Sequence, residues 1–312
     1  MPLRILSDFD GVFTEPSAEA GRVREHFRDA LVRLTRLGPD GVDRLFEAAD
    51  REIAARPGKH GWIESGRITA FADEDLFIRN NALAAIFDAE AEGTGPGVAH
   101  AAGIDPAELA RALEGLRAEG FPAFTGVAQW AFVETTRETR EGKHDPMEPD
   151  SARALRGWVE AGHDVVVVSN SGTDRVLDLL ARSGVDAAND EWGGAGTRAA
   201  GHVRVRGGAR KFQLGATPAA LAAAGREMDV SRPTYEKILR EERPDAVIGD
   251  VFSLDLALPL HLARSEPAAF PGLRLYLRAR HYTPAWSREW FAAGGEGTAR
   301  VAAIESLDRV CG

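Results

Sequence analysis

Residues 7–14, SDFDGVFT, place two carboxylates and a glycine directly after a short apolar segment. Asp8 and Asp10 are two residues apart, and Gly11 follows them. Paired carboxylates can act as a nucleophile and as a general acid and base, or they can hold a cation. An acid pair before a glycine is also common in turns and helix caps, so this segment alone leaves both interpretations open.

Two later apolar runs also end in polar side chains suited to phosphate or a metal ion. VVVVSNSG ends in Ser169 and Asn170, and AVIGDVFSLD carries Asp250 and Asp255. Taken singly, SNSG could cap the helix that begins near Thr173, and the second run could be a loop with one capping aspartate. Ligands bind beyond the carboxyl ends of strands in open parallel sheets. We therefore expect these residues to meet Asp8 and its neighbours in one crevice.

The number of acids in that crevice predicts a bound cation. Carboxylates that converge repel each other unless a positive charge lies among them. A hard, oxygen-rich set of ligands suits Mg²⁺. The sequence therefore predicts a Mg²⁺ site at the ends of the three apolar strands.

The elements that position these residues alternate between helix and strand patterns. Residues 1–12 have the pattern of a buried strand, and after residue 150 strands such as HDVVVVSNSG are separated by helices such as TDRVLDLLARSG. This alternation predicts an α/β fold with a doubly wound, Rossmann-like, mostly parallel sheet. A Gly-rich stretch between alternating segments in 189–215 predicts a β-hairpin appended to that sheet.

The segment between the first strand and the rest of the sheet has a different pattern. Its apolar residues recur at helical spacing, as in AGRVREHFRDALVRLTRLG, and it contains no convincing strand. We predict that 1–14 and 150–312 form the sheet domain. Residues 15–149 are predicted to form an inserted, all-helical domain.

Composition narrows the classes of partner. The net charge of −10 over 312 residues argues against a general nucleic-acid or anionic-membrane binder, because phosphate backbones require clustered Lys and Arg. Cys311 is the single cysteine, which excludes an intrachain disulfide and a zinc cluster of thiolates. No secretion signal or membrane-length apolar run is present, and a cytoplasmic location is expected. The oligomeric state is left open.

The three strand ends together resemble the motifs of the haloacid dehalogenase (HAD) superfamily of phosphatases and phosphotransferases. Its first motif, Asp-x-Asp-x-(Thr/Val), is similar to DFDGV. Its second, an apolar strand ending in Ser or Thr, is similar to VVVVSNS, and its fourth, Gly-Asp with a second acid nearby, is similar to GDVFSLD. The resemblance covers the sheet domain. An insert between the first two motifs is where this superfamily carries its C1-type cap.

The resemblance implies roles for the four acids. Asp8 would be the nucleophile that forms an aspartyl-phosphate, and Asp10 would be the general acid and base. Asp8, the backbone carbonyl of Asp10, and Asp250 would hold Mg²⁺. Asp255 would support that cluster directly or through a neighbour.

The resemblance also implies phosphate ligands and a cation beside the nucleophile. Ser169, Asn170 and Gly11 would contact phosphate oxygens. Arg232, immediately before a Pro-initiated helix, is similar to the Lys-Pro arrangement of the third motif, and its permanent charge makes it a suitable substitute for Lys. Its placement before that helix makes it the preferred cation. Lys211 in GGARKF is the rival candidate, since a hairpin could fold it over the site.

These motifs favour a Mg²⁺-dependent phosphatase that acts on a small phosphorylated metabolite. Members that cleave carbon–halogen or phosphonate bonds lack an acid at the place of Asp10. A phosphotransferase or mutase and a catalytically silent binding protein of this fold are the alternatives. A large cap favours small substrates. Candidate residues for reading the substrate in the insert or near its end are Arg79, Asn80, Asn81, His60, Trp62, His144 and Asp145.

Overall fold

Strands and helices alternate along the second half of the chain, as predicted. The computed structural model describes residues 2–140, 147–190, 201–295 and 300–311. Within these ranges the strands are β1 (Arg4–Ser7), β2 (Gly61–Glu64), β3 (Arg67–Phe71), β4 (Asp164–Val168), β5 (Ala187–Asn189), β6 (Val203–Arg206), β7 (Ala220–Ala223), β8 (Arg226–Asp229), β9 (Ala246–Gly249), β10 (Arg274–Arg278) and β11 (Arg300–Ile304). The helices are α1 (Ser17–Leu34), α2 (Gly38–Ala55), α3 (Leu76–Ala91), α4 (Val98–Ala101), α5 (Pro106–Ala118), α6 (Phe124–Arg140), α7 (Pro149–Glu160), α8 (Thr173–Arg182), α9 (Pro233–Glu242), α10 (Ala257–Ser265) and α11 (Ala285–Ala292). Short 3-10 turns lie at Pro57–Lys59 and Leu307–Arg309, and a π-helical turn lies at Phe252–Leu256.

A seven-stranded parallel sheet organises the residues that carry the motifs. Its strand order is β11-β10-β9-β1-β4-β6-β5. The α/β, doubly wound, Rossmann-like fold is thereby confirmed. Strand β1 is central, with β4, β6 and β5 on one side and β9, β10 and β11 on the other. The strand order therefore switches at β1, and the crevice beyond its carboxyl end is where such sheets bind ligands.

The apolar run of β4 reflects burial on both faces of the sheet. Val165 and Val167 pack in one core with Trp158 of α7 and Leu180 of α8. The intervening Val166 faces the other side and is also fully buried. A strand that is covered on both faces has apolar residues at every position instead of alternating apolar and polar ones. This continuous apolar run is what predicts β4 from the sequence.

The position predicted for the appended hairpin, 189–215, is wrong. Strands β5 and β6 pair in parallel, and β6 joins the central sheet beside β4. The Gly-rich residues 191–200 lie outside the described residues. The alternation in β6 suggested one solvent-exposed face, but its two arginines are buried in ion pairs.

Those arginines belong to a compact group of buried charges. Arg204 contacts Asp190 at 2.6 Å and Glu242 at 2.7 Å, and Arg206 contacts Glu242 at 2.6 Å and Asp190 at 3.4 Å. Each of the four residues is at most 6% exposed. We call Arg204, Arg206, Asp190 and Glu242 the arginine cluster.

An antiparallel hairpin is present further along the chain. Strands β7 and β8 pair with Leu221 opposite Met228. The two residues between the strands, Ala224 and Gly225, both have positive φ values, 52° and 72°. Two positive φ values in a two-residue loop match the twist of a hairpin, and glycine accepts them without strain.

The chain divides into two units. One comprises Met1–Glu15, Ile63–Ala70 and Pro146–Gly312, and the other Pro16–Trp62 and Phe71–Asp145. The second unit packs its helices around rings from three helices, including Phe27, Phe46 and Phe87. The range predicted as all-helical also contains β2 and β3, which form a two-stranded sheet, and residues 63–70 group with the central sheet. None of the described helices has the length and apolar character needed to cross a membrane.

Candidate active site

Asp8 follows the last residue of β1, at the centre of the sheet. Its backbone N–H donates to the carbonyl of Ile248 in β9 at 2.9 Å, which extends the sheet ladder beyond the strand. Phe9 and Phe13 are fully buried and anchor the turn that follows. The Asp8 side chain is only 13% exposed. The first acid of the pair is therefore held on rigid backbone.

Lys211 is the cation beside Asp8. Its ammonium donates to Asp8 Oδ1 at 2.6 Å and to Asp255 Oδ1 at 2.8 Å. It also lies 5.3 Å from the centre of the Tyr235 ring, a cation–π contact. The Lys211 side chain is 1% exposed, so these groups fix it almost without water.

Arg232, which the sequence favours as this cation, lies elsewhere, and the preference is corrected. Arg232 is fully buried. Its guanidinium donates to the backbone carbonyls of Lys211, Thr69 and Ser253. The predicted Pro-initiated helix α9 is present, but the arginine at its start ties three backbone segments together. It holds the Lys211 segment in place through the Lys211 carbonyl.

Three carboxylates form an acidic cluster beyond the carboxyl ends of β1 and β9. Asp8, Asp250 and Asp255 each offer one oxygen, and these oxygens lie within 4.8 Å of one another. Gly11 makes room for the group: a Cβ at Gly11 would lie 1.8 Å from Asp250 Oδ2. The hydroxyl of Tyr282 donates to the same oxygen at 3.2 Å. Three converging carboxylates are a donor set that fits Mg²⁺.

The π-helical turn sets the position of Asp255. The Asp255 Oδ2 atom accepts from the backbone N–H of Val251 at 3.2 Å, and its carbonyl accepts from the Tyr235 hydroxyl at 2.9 Å. A Cβ at Gly249 would lie 2.3 Å from the Asp255 Cβ, so the close approach requires glycine there. Such turns occur often at functional sites because they redirect side chains within a helix.

Burial and neighbouring charges shift the pKa values of this group. Burial raises the pKa of Asp8 to about 8, and the charges of Asp255 and Asp10 add to this against the opposing effect of Lys211. Burial alone would lower the pKa of Lys211, but Asp255 and Asp8 outweigh it and raise that pKa above its ordinary value. The lysine therefore stays charged, and the carboxylates retain an excess of negative charge for a cation to neutralise.

Ser169 and Asn170 lie at the end of β4, next to β1. The Ser169 side chain is buried, and its Oγ accepts from the backbone N–H of Ser171 at 3.0 Å. That contact leaves the hydroxyl hydrogen of Ser169 for another acceptor. Asn170 Oδ1 accepts from the backbone N–H of Lys211 at 2.7 Å. The predicted phosphate residue Asn170 thus positions the lysine segment.

Asp10 is surrounded by partners that sequence reasoning missed. The Ser171 hydroxyl donates to Asp10 Oδ2 at 2.9 Å, and Arg175 Nη1 donates to Asp10 Oδ1 at 3.0 Å. The carboxylate of Asp10 is not part of the acidic cluster found among the described residues. A metal contact through its backbone carbonyl stays a prediction. The signal for Arg175 was its place in the first turn of α8, directly after SNSG.

Another missed residue, Arg280, holds the turn after the acid pair. Arg280 donates to the carbonyls of Gly11, Val12 and Thr14 at 2.6, 3.0 and 2.9 Å. It also forms two 2.9 Å bonds with the carboxylate of Glu148. The N–H of Gly11, predicted to contact phosphate, donates to Thr14 Oγ1 at 3.1 Å. No sequence motif marks Arg280, because it meets this turn only in the folded chain.

The candidate residues of the insert have structural partners or stay untested. Asn80 is buried and donates to a carbonyl of α1. His60 contacts Glu52 at 2.8 Å, and Arg79 contacts Asp50 at 2.8 Å. Trp62 and Asn81 are half-buried, and His144 and Asp145 lie outside the described residues.

Comparison with known proteins gives little information on function beyond this geometry. No protein-family model matches the chain, and no curated protein matches it at a significant level. A crystal structure of a 2-haloacid dehalogenase from Pseudomonas syringae pv. Tomato DC3000 is similar over 100% of this chain and 97% of that chain, with 13% sequence identity and a TM-score of 0.38. A likeness this weak carries no information on activity, so function is inferred from the residues themselves.

Proposed function

We propose that this chain is a Mg²⁺-dependent phosphatase of the HAD superfamily that hydrolyses a small phosphorylated metabolite through an aspartyl-phosphate on Asp8. One observation carries the proposal. A buried lysine joins Asp8 to Asp255 while Asp250 completes a cluster of three carboxylates. Attack by a carboxylate on phosphorus needs a fixed nucleophile, a positive charge and room for a cation, and this group supplies all three.

In the first step, one Asp8 carboxylate oxygen attacks phosphorus and the bond from phosphorus to the leaving oxygen breaks. Asp10 gives its proton to that leaving oxygen, so an alcohol departs rather than an alkoxide. Lys211 holds Asp8 in position and offsets negative charge as the phosphoryl group approaches. The Ser169 hydroxyl donates to a phosphoryl oxygen.

In the second step, water attacks the phosphorus of the aspartyl-phosphate. Asp10, now a carboxylate, accepts a proton from that water. The bond between phosphorus and the Asp8 oxygen breaks, which releases inorganic phosphate and restores the Asp8 carboxylate. Asp10 ends the cycle with its proton, ready for the next substrate.

The acidic cluster is the proposed site of the metal ion. Asp8, Asp250 and Asp255 would hold Mg²⁺. When bound, the ion neutralises charge on the carboxylates and on the phosphoryl group. Tyr282 and Gly11 keep the Asp250 carboxylate in its place.

The presence of Asp10 favours phosphate esters over halogenated substrates, because a departing halide requires no proton. A mutase or other phosphotransferase would use the same first step with a different acceptor in place of water. A silent binding protein would need at least one of the reacting side chains to be absent or blocked. Asp8, Asp10, Ser169 and Lys211 are all present.

Phosphate release from p-nitrophenyl phosphate tests the proposal. The protein is assayed with Mg²⁺, and then with EDTA in place of the metal. We expect release only with the metal, and a loss of about 10⁴-fold or more in Asp8→Asn, because that variant lacks the nucleophile. A panel of phosphorylated sugars, nucleotides and biosynthetic intermediates then ranks substrates by kcat/KM.

A folded protein that releases no phosphate from any member of the panel would overturn the proposal. Full activity in Asp8→Asn would do the same. Transfer of phosphate to an added alcohol or sugar, instead of to water, would identify the phosphotransferase alternative.

A further inference from the structure

Asp10, Ser171 and Arg175 form a closed triangle of hydrogen bonds. Arg175 Nη1 donates to both Asp10 oxygens, at 3.0 and 3.2 Å, and to Ser171 Oγ at 2.8 Å. Ser171 Oγ donates in turn to Asp10 Oδ2 at 2.9 Å. A carboxylate held by two donors that also contact each other has little freedom to rotate.

The triangle is built into the backbone around the site. Ser171 donates its backbone N–H to Ser169 Oγ, and its carbonyl accepts from Gly208 at 2.9 Å. Ser171 therefore links Asp10 directly to Ser169. Arg175 lies in the first turn of α8, where its side chain is 9% exposed.

We propose that Arg175 is a positioning residue for Asp10: it aims the carboxyl group at the leaving oxygen. This inference rests on the proposed phosphatase function and deepens it. Asp10 follows a strand end and lies in a turn, so its backbone alone does not fix the side-chain rotamer. The guanidinium of Arg175 fixes that rotamer from the neighbouring helix α8. Ser171 bonds both Asp10 and Ser169, so it holds these two side chains in a fixed relative position.

A structural ion pair would use the same contacts, so the two roles must be separated by what they change. A positioning residue for Asp10 acts on both of its proton transfers, but only protonation of the leaving group enters kcat/KM and depends on the substrate. Its loss should harm substrates whose leaving groups need a proton more than substrates whose leaving groups depart as stable anions. Loss of a purely structural pair would lower kcat/KM by the same factor for every substrate.

The test measures kcat/KM for Arg175→Gln over a series of aryl and alkyl phosphates with leaving groups of increasing pKa. We expect a loss of about 10²-fold for alkyl phosphates and less than about tenfold for p-nitrophenyl phosphate. The plot of log kcat/KM against leaving-group pKa becomes steeper. Arg175→Lys keeps the charge with a single donor group and should fall between the wild type and Arg175→Gln.

A double-mutant cycle with Asp10→Asn identifies the residue through which Arg175 acts. In the Asp10→Asn background, Arg175→Gln should have almost no further effect. Arg182→Gln is the matched control. Arg182 lies in the same helix, pairs with Asp178 at 2.8 Å and is 36% exposed, so we expect an unchanged slope.

If Arg175→Gln does not fold, Ser171→Ala removes the other donor to Asp10 without removing a charge, and it should steepen the same plot to a smaller degree. An equal loss for all substrates, or an undiminished effect in the Asp10→Asn background, overturns the positioning role while the phosphatase proposal stands. Absence of phosphate release by the wild type overturns both.

Discussion

The acidic cluster with Lys211 and the arginine cluster are both buried groups of charges in the sheet-containing unit, but their charge balance differs. In the arginine cluster, two guanidinium groups face two buried carboxylates in direct contact. The partly exposed Asp164 and Glu241 also contact these arginines, and each has a further cation of its own, Arg4 and Lys237 respectively. In the other group, three carboxylates share one lysine. When all are ionised, the second group has an excess of two negative charges.

That difference separates a structural role from a chemical one. A balanced and fully hydrogen-bonded cluster is complete in the folded chain and needs no ligand. An unbalanced cluster at the ends of buried strands remains costly until a cation joins it. The pKa of Asp8 is raised first by burial and then by the charges of Asp255 and Asp10. A divalent ion carries the charge that is missing. The comparison therefore predicts different responses to mutation and to metal.

The largest effect is expected from Lys211→Met. Removing the ammonium takes the positive charge from Asp8 and leaves the nucleophile without its main hydrogen-bond donor. We expect kcat for phosphate release to fall about 10³-fold or more, equivalent to about 4 kcal/mol in the barrier. The loss of thermal stability should be smaller with Mg²⁺ than in EDTA, because the ion offsets part of the negative charge that the three carboxylates then carry.

Arg232→Met is the matched variant, since it removes another buried cation, one that contacts the Lys211 carbonyl. Its guanidinium contacts backbone carbonyls, so this change should lower stability rather than act on chemistry alone. If Lys211→Met keeps wild-type kcat while Arg232→Met loses activity without loss of stability, the assignment of the two cations is reversed.

The next effect is expected from Glu242→Gln in the arginine cluster. The change leaves Arg204 and Arg206 buried with one carboxylate fewer. Breaking a buried pair by removing one partner costs about 3 kcal/mol in the free energy of unfolding. Urea unfolding measures this loss, and kcat of the folded fraction should stay close to that of the wild type. Unchanged stability would show that the cluster is not the balanced structural element described here.

The same contrast explains what could be predicted from sequence. The acids of the site follow apolar strands, and a parallel sheet brings the ends of its central strands together, so Asp8, Asp250 and Asp255 could be placed in one cluster from pattern alone. Lys211 and Arg232 could not be told apart, since both follow loops whose paths depend on tertiary contacts. The alternation in β6 suggested a hairpin because pattern cannot distinguish an arginine facing water from one buried against Asp190.

Metal binding provides the last test, and its readout is stability rather than activity. Mg²⁺ at about a hundred times its Kd should stabilise the wild type by about 2.7 kcal/mol, and the increase in melting temperature measures it. Asp250→Asn should lose most of this increase, because the cluster then has one carboxylate fewer. Glu242→Gln should have a lower melting temperature without Mg²⁺, but Mg²⁺ should raise it by as much as it raises that of the wild type.

Without metal, the two carboxylate substitutions should act with opposite signs. Asp250→Asn relieves repulsion within the acidic cluster, and an asparagine oxygen can still accept from Tyr282, so the metal-free protein should be as stable as the wild type or more so. Glu242→Gln removes a balancing charge and should destabilise the protein with or without metal. Equal destabilisation by both changes in EDTA would mean that the acidic cluster is already neutralised by the chain itself, and the inference of a divalent ion would then have no electrostatic basis.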